Sequence, residues 1–90
     1  MYRKNRYRPG HLSDLLRSTR RSKAMQQFEI QDALGLNNTQ TISNWERGTP
    51  VAFKYLPKLS QFLEISMEDL LAAYLLDREE EFRGVFESNN

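Results

Sequence analysis

Residues 27–48, QFEIQDALGLNNTQTISNWERG, decide the fold of this chain. Ile30 and Leu34 are four apart, so they lie on one face of a first predicted helix. Gly35 follows at once, where a helix that ends favours a left-handed residue. The polar residues after it offer N-cap oxygens to a second helix, predicted over residues 39–47. The stretch therefore predicts two short helices joined by a tight polar turn.

The second predicted helix has one apolar side and one polar side. Ile42 and Trp45, three apart, form the apolar side, and we expect the indole to be part of the core. The polar side carries amides, which pair with adenine in a bidentate manner, and hydroxyls, which pair with several base edges. Gln40 and Asn44 share a face and are the predicted base readers, with second-rank readers at Thr39 and Ser43. The alternative is that these side chains only cap and solvate the helix.

This stretch resembles the helix-turn-helix of the lambda-repressor/Cro-like family, the xenobiotic-response-element type of bacterial and phage regulators. The resemblance rests on Gln27, on Leu34 with Gly35, and above all on TISNWERG at residues 41–48. It covers about residues 12–72 and implies an all-α, compact five-helix lambda-repressor-like domain. Two departures leave open which of residues 37–40 reach the bases. The turn holds one additional residue, and Gln31 stands where the family prefers a small side chain.

The resemblance also implies roles for residues outside the recognition helix. Arg20 is expected to pair with Glu46 and so tie the first helix to the recognition helix, with a direct phosphate contact as the alternative. Contacts to the DNA backbone are expected from polar and basic side chains: Gln27, Asn38, Thr41, Arg47, Lys54 and Lys58. Asn38 and Thr41 have helix capping as their alternative role, Gln27 a plain helix start, and Lys54 a loop charge.

Composition narrows the class of protein. Ninety residues form one domain, and the absence of Cys excludes disulfides and thiolate metal sites. With no signal-peptide pattern and no long apolar run, we expect a soluble, cytoplasmic, nucleoid-associated protein without membrane contact. The chain has no catalytic constellation, phosphate loop or metal-ligand cluster, so we expect no enzyme activity, cofactor, metal or small-molecule ligand. The single His11 is expected on the surface or in a cap, and the acidic residues 79–81 on a solvated face.

Charge is distributed unevenly along the chain. Residues 1–26 carry a net charge of +7, residues 27–63 balance, and residues 64–90 carry −6. Residues 1–11 are predicted to be a flexible arm, whose basic residues are Arg3, Lys4, Arg6 and Arg8. The arm would bind DNA phosphates or a minor groove; a solvated tail is the alternative. Residues 12–74 would form the helix-turn-helix domain.

Residues 75–90 are predicted to be an acidic helical extension. Its helical pattern consists of apolar residues at spacings of four, seven and four: Leu71, Leu75, Phe82 and Phe86. Because this helix would extend beyond the core, we expect a dimerisation element, with a tail folded back on the first helix as the alternative. Further helices are expected over residues 13–21 and 56–63, and a fifth is expected to be capped by Ser66.

Together these features predict a transcriptional regulator that binds double-stranded DNA. It would bind an inverted-repeat operator as a homodimer, each recognition helix in a major groove. A phage repressor, a restriction-modification controller and an antitoxin all fit. The alternative is an adaptor or antirepressor that uses the fold to bind a protein partner without specific DNA binding.

Overall fold

Five α-helices and one short 3-10 turn follow one another along the chain. They are α1 (His11–Ser22), α2 (Gln27–Leu34), α3 (Gln40–Glu46), the 3-10 turn Phe53–Tyr55, α4 (Leu56–Leu63) and α5 (Met67–Ser88). The computed structural model describes the backbone of residues 10–88 and the side chains of residues 10–84. That part of the chain contains no strand, and the all-α, five-helix prediction is confirmed. The predicted arm cations Arg3, Lys4, Arg6 and Arg8 lie outside the described residues.

The core is formed by the apolar sides of all five helices. Each helix contributes buried side chains, and Val51 and Ile65 add two more from the connections. The helical members of the core are Leu12, Leu16, Ile30, Leu34, Ile42, Trp45, Leu56, Leu59, Leu63, Leu70 and Ala73. Burial of one large aliphatic side chain contributes about 1.5–3 kcal/mol, so this single cluster holds the helices together. Met25 is half-buried at the edge of this cluster.

The turn after α2 is closed by Gly35, as its position predicts. Gly35 is left-handed, with φ of 72°, and its N–H donates to the Asp32 carbonyl at 3.2 Å. The N–H of Leu36 donates to the Gln31 carbonyl at 3.0 Å, which completes a Schellman motif. This motif ends α2 sharply and turns the chain towards α3.

Helix α1 begins at His11, two residues before the predicted start at Ser13. The Asp77 carboxylate accepts the backbone N–H groups of His11 at 2.7 Å and Leu12 at 3.1 Å. A carboxylate at this place satisfies two unpaired donors and interacts favourably with the helix dipole. The cap comes from α5, more than sixty residues away, so no local signal in the sequence marks it. The predicted end of the arm at residue 11 therefore falls inside α1.

Helix α5 is continuous across the predicted boundary between residues 74 and 75. Its buried side chains, Leu70 and Ala73, lie in the first part, and no described side chain after Tyr74 is buried. The 22-residue helix is about 33 Å long and packs along α1. The extension is therefore the second half of one helix, and its Asp77 and Glu80 contact the start of α1.

A histidine–glutamate pair makes this contact sensitive to pH. His11 Nε2 lies 2.9 Å from Glu80 Oε2, and this hydrogen bond raises the pKa of His11, assisted by the charges of Glu80, Asp77 and Asp14. Because the pKa of His11 is higher in the folded protein, protonation of its imidazole stabilises the fold below the unfolded-state pKa of about 6.5. This stabilisation is lost as pH rises through the folded-state pKa.

We expect the urea midpoint of the wild-type protein to fall relative to that of a His11→Gln variant as pH rises from 6 to 8. The reason is that only the wild-type protein loses a protonated imidazole beside Glu80. Equilibrium unfolding at several pH values measures this difference. If the urea midpoints of the two proteins changed in parallel with pH, the stabilising role of the His11–Glu80 pair would be contradicted.

Candidate nucleic-acid interface

The two amides predicted to read bases are side by side on α3. Gln40 Nε2 donates to Asn44 Oδ1 at 3.0 Å, across one turn of the helix. Gln40 is exposed and Asn44 is half-buried. The bond leaves the Gln40 carbonyl oxygen as an acceptor and the Asn44 NH₂ group as a donor. One acceptor and one donor together match the edge that adenine presents in the major groove.

The other polar residues of α3 differ in their roles. Asn38 Oδ1 accepts the backbone N–H of Gln40 at 3.0 Å, so Asn38 caps the start of the helix, one of its two predicted roles. Thr39 is exposed at the N-cap position, directly before Gln40. Thr41 and Ser43 are half-buried and lie further from the open surface.

A buried ion pair fixes the inner side of α3. Arg20 Nε donates to Glu46 Oε2 at 2.6 Å and Arg20 Nη2 donates to Glu46 Oε1 at 3.0 Å. Arg20 Nη1 also donates to the Met25 carbonyl at 2.9 Å. Glu46 is only 4 % exposed, and its hydrogen bonds raise the pKa of Arg20 above the usual value. The structure thus contains the pair that the resemblance implies, and this pair ties α1 to α3.

The Gln27 side chain has a partner inside the protein, and its predicted phosphate contact stays a prediction. Its Nε2 donates to Glu46 Oε1 at 3.1 Å, and the side chain is half-buried. The physical reason is that the buried Glu46 carboxylate has acceptor sites left after its two bonds from Arg20. The second hydrogen on Nε2 and the backbone N–H groups at the start of α2 are the donors that this end of the helix retains for a phosphate.

Gln31 stabilises the lengthened turn between the two helices, a role that sequence reasoning missed. Its Nε2 donates to the Leu36 carbonyl at 3.1 Å, and the side chain is half-buried between the helix and the turn. A small residue at this position could not reach that carbonyl. The larger side chain therefore accompanies the longer turn.

Three of the predicted phosphate-binding cations are exposed on the segments that follow α3. Arg47 lies at the end of α3, Lys54 in the 3-10 turn and Lys58 on α4. The Lys54 ammonium is 5.3 Å from the centre of the Tyr55 ring, and that ring lies 5.3 Å from the Trp45 ring. This aromatic contact fixes the 3-10 turn, and the lysine with it, against α3.

The residues predicted for dimerisation separate into two environments. Leu75 and Phe82 are 60 % and 72 % exposed on one stripe of α5, whereas Leu71 is half-buried against the core. The Phe86 side chain lies outside the described residues. Leu76, which the spacing did not indicate, is also exposed but lies on another side of the helix.

One group of side chains has the composition of a metal site. His11, Asp77 and Glu80 place one ligand atom each within 4.8 Å of one another. Asp77 already caps α1 and Glu80 already pairs with His11, so this cluster has a structural role without an ion. Separately, no described helix is long and apolar enough to cross a membrane.

Comparison with known proteins identifies the architecture that carries these residues. A family model described as helix-turn-helix matches residues 16–70, which are 55 of the 90 residues. Searches of curated proteins and of solved structures found no significant match. The matched segment contains α2, α3 and both residues of the Arg20–Glu46 pair. The chain therefore belongs to the lambda-repressor/Cro-like helix-turn-helix family, a family of DNA-binding regulators.

Proposed function

We propose that this protein regulates transcription by sequence-specific binding of double-stranded DNA, with α3 in the major groove. The observation that carries the proposal is the pair of adjacent amides, Gln40 and Asn44, on the polar side of α3. The two side chains together offer a donor and an acceptor to a base edge. Thr39 and Ser43 are the second-rank readers in this proposal.

The way α3 is packed against the rest of the domain supports specific recognition of DNA bases. Its inner side is held by Ile42, Trp45 and Glu46, all buried, and Glu46 is bonded to both α1 and α2. Base readout requires donors and acceptors at fixed positions, because a displaced amide loses bidentate geometry. A helix anchored at three positions presents its polar side in one orientation.

Backbone contacts would supply much of the affinity. Arg47, Lys54 and Lys58 are the proposed cations, and the start of α2 adds N–H donors for a phosphate. Asn38 and Thr41, at the start of α3, are the proposed polar side chains for a phosphate contact there. Each cation that neutralises a phosphate releases a counterion, so binding should weaken steeply with salt.

We expect Lys58→Ala to lower the slope of log affinity against log salt by about 1, equally on all DNA sequences. Arg83→Ala on α5 is the matched control, since Arg83 pairs with Glu79 on the acidic helix. Fluorescence anisotropy of labelled duplexes, measured between about 50 and 200 mM salt, gives the salt slope of each variant. Equal slopes for the two variants would exclude Lys58 from the interface.

Dimerisation is proposed through the exposed stripe of α5. Leu75 and Phe82 lie seven residues apart, so they are on one side of the helix and offer two apolar side chains to a second copy. A two-fold dimer would place two recognition helices on successive turns of DNA, and its operator would be an inverted repeat. Such a protein would act by occupying an operator, as a repressor, a restriction-modification controller or an antitoxin does.

A further inference from the structure

A cleft lies beside the point where the N-terminal arm enters the domain. Its volume is about 210 Å³, and it is lined by the start of α1, the segment after α3 and the second half of α5. Gly10, the first described residue, is part of its lining. The lining also includes apolar groups and carboxylates, notably Trp45, Pro50, Tyr74, Asp77, Glu80 and Glu81.

The cleft results from a change in character along one face of α5. Residues 70, 73 and 74 use this face to pack on the core, and residues 77, 78 and 81 continue it at helical spacing. Where apolar side chains would extend the core, the helix carries Asp77, Arg78 and Glu81. The core-facing side of α5 is therefore charged beyond Tyr74, with two carboxylates and one guanidinium.

The charged groups of the cleft are not equivalent. Asp77 is bonded to the first N–H groups of α1, and Glu80 is bonded to His11. Glu81 is exposed and makes no hydrogen bond or ion pair with any side chain that the structure describes. Arg78 also lines the cleft, and its guanidinium lies 5.7 Å from the centre of the Tyr74 ring. Because Asp77 and Glu80 already have partners, Glu81 is the carboxylate of this lining that is open to a cationic occupant.

Residues 1–9 have the complementary composition. They hold four basic residues and no acidic one, together with Tyr2 and Tyr7, and they lead directly into Gly10. An extended chain covers about 3.3–3.6 Å per residue, so Tyr7 and Arg8 are within about 11 Å of Gly10. Because the arm is tethered at the cleft, its effective concentration there is high, in the millimolar range typical of short linkers, about 1 mM or more.

We propose that the acidic cleft binds the chain's own N-terminal arm, in competition with DNA phosphates. The cations of the arm pair with the carboxylates of α5, and a tyrosine ring packs on the apolar lining. The acidic half of α5 thereby acts as an internal competitor that weakens DNA binding. The competition with DNA rests on the proposed function, whereas occupancy of the cleft does not.

Occupancy is tested on the full chain without DNA. The protein has no cysteine, so Asn5→Cys accepts a single nitroxide label. In ¹⁵N-labelled protein we expect paramagnetic broadening of backbone amides across the cleft, including those of Gly48, Thr49 and Glu81, which are distant from residue 5 in sequence. Glu81→Gln should reduce this broadening, and the matched variant Glu68→Gln at the other end of α5 should not.

Two outcomes would overturn the assignment. Broadening confined to the residues that follow Gly10 in sequence would show that the arm does not occupy the cleft. Broadening of a ¹⁵N protein without label, when it is mixed with spin-labelled ¹⁴N protein, would show that a second copy supplies the occupant.

The competition is tested by DNA affinity at low salt. We expect Glu81→Gln to tighten binding by about two- to fivefold, the range of one exposed ion pair, and Glu68→Gln to do so less. Deletion of residues 1–8 should abolish the gain from Glu81→Gln. A gain that persists without the arm would mean a general charge effect and would contradict the competition. Failure of every variant and the wild type to bind DNA would reject the proposed function and leave the nitroxide result standing.

Discussion

Replacement of Arg20 by methionine is expected to lower the free energy of unfolding by about 3–5 kcal/mol. The side chain makes three hydrogen bonds, two of them to the Glu46 carboxylate, which is 4 % exposed. Methionine retains much of the packing volume but leaves that carboxylate buried with Gln27 as its remaining partner. An unpaired buried charge is far more costly than the loss of the pair itself.

The measurement is equilibrium urea unfolding at pH 7, with thermal unfolding as a second probe. For a domain of this size each kcal/mol corresponds to about 4–8 °C in Tm, so a fall of more than about 10 °C is expected. Arg17→Met is the matched control, because its partner Asp14 is exposed and such pairs contribute about 0–1 kcal/mol. Equal losses of unfolding free energy in the two variants would show that the Arg20–Glu46 pair does not anchor the domain.

A double replacement separates the contribution of charge from the contribution of packing. Arg20→Met combined with Glu46→Leu removes both charges, so no uncompensated carboxylate remains in the interior. We expect this double variant to be more stable than Arg20→Met alone, since apolar replacement of a whole buried pair is often close to neutral. A double variant that is less stable than either single variant would indicate that packing, and not charge, determines the effect.

Gln40→Ala and Asn44→Ala are each expected to change which base is preferred at one operator position. Loss of a bidentate amide contact corresponds to about 1–3 kcal/mol, or roughly a five- to 150-fold change in discrimination. Gln40 is exposed, Asn44 is half-buried, and the two side chains are hydrogen-bonded to each other, so the unfolding free energy should change little. Binding competitions with duplexes that differ at single positions measure the preference.

The control is Gln61→Ala, which removes an exposed glutamine from α4. Because Gln40 donates to Asn44, the effects of the two α3 variants should not add, and a double variant measures their coupling. Equal loss of affinity on every duplex would contradict base reading and would assign the two amides to backbone contacts.

Local signals account for most of the fold. Gly35 marked the end of α2, and the spacing of Ile42 and Trp45 marked the buried side of α3. These signals depend on residues within one or two helical turns, which is the range over which periodicity and capping act. Element type could therefore be predicted from the sequence.

Contacts between distant segments were not predictable in the same way. The Asp77 cap on α1 joins residues more than sixty positions apart. Because of this cap the helix begins at His11, before the predicted start. Ala24 and Glu64 adopt left-handed conformations at helix ends, with φ of 54° and 59°, although neither residue type favours them. The Arg20–Glu46 pair was expected only from the family resemblance, and the bond from Gln27 to Glu46 follows from packing.

Selection of bound sequences from a random duplex library, with the full-length protein, tests the central claim most directly. We expect enrichment of an inverted repeat whose half-sites are centred about one helical turn apart, roughly 10 base pairs. We also expect Gln40→Ala to shift the enriched base at one position of each half-site. Failure of the folded protein to enrich any sequence would contradict specific DNA recognition and would favour a protein-binding role for this domain.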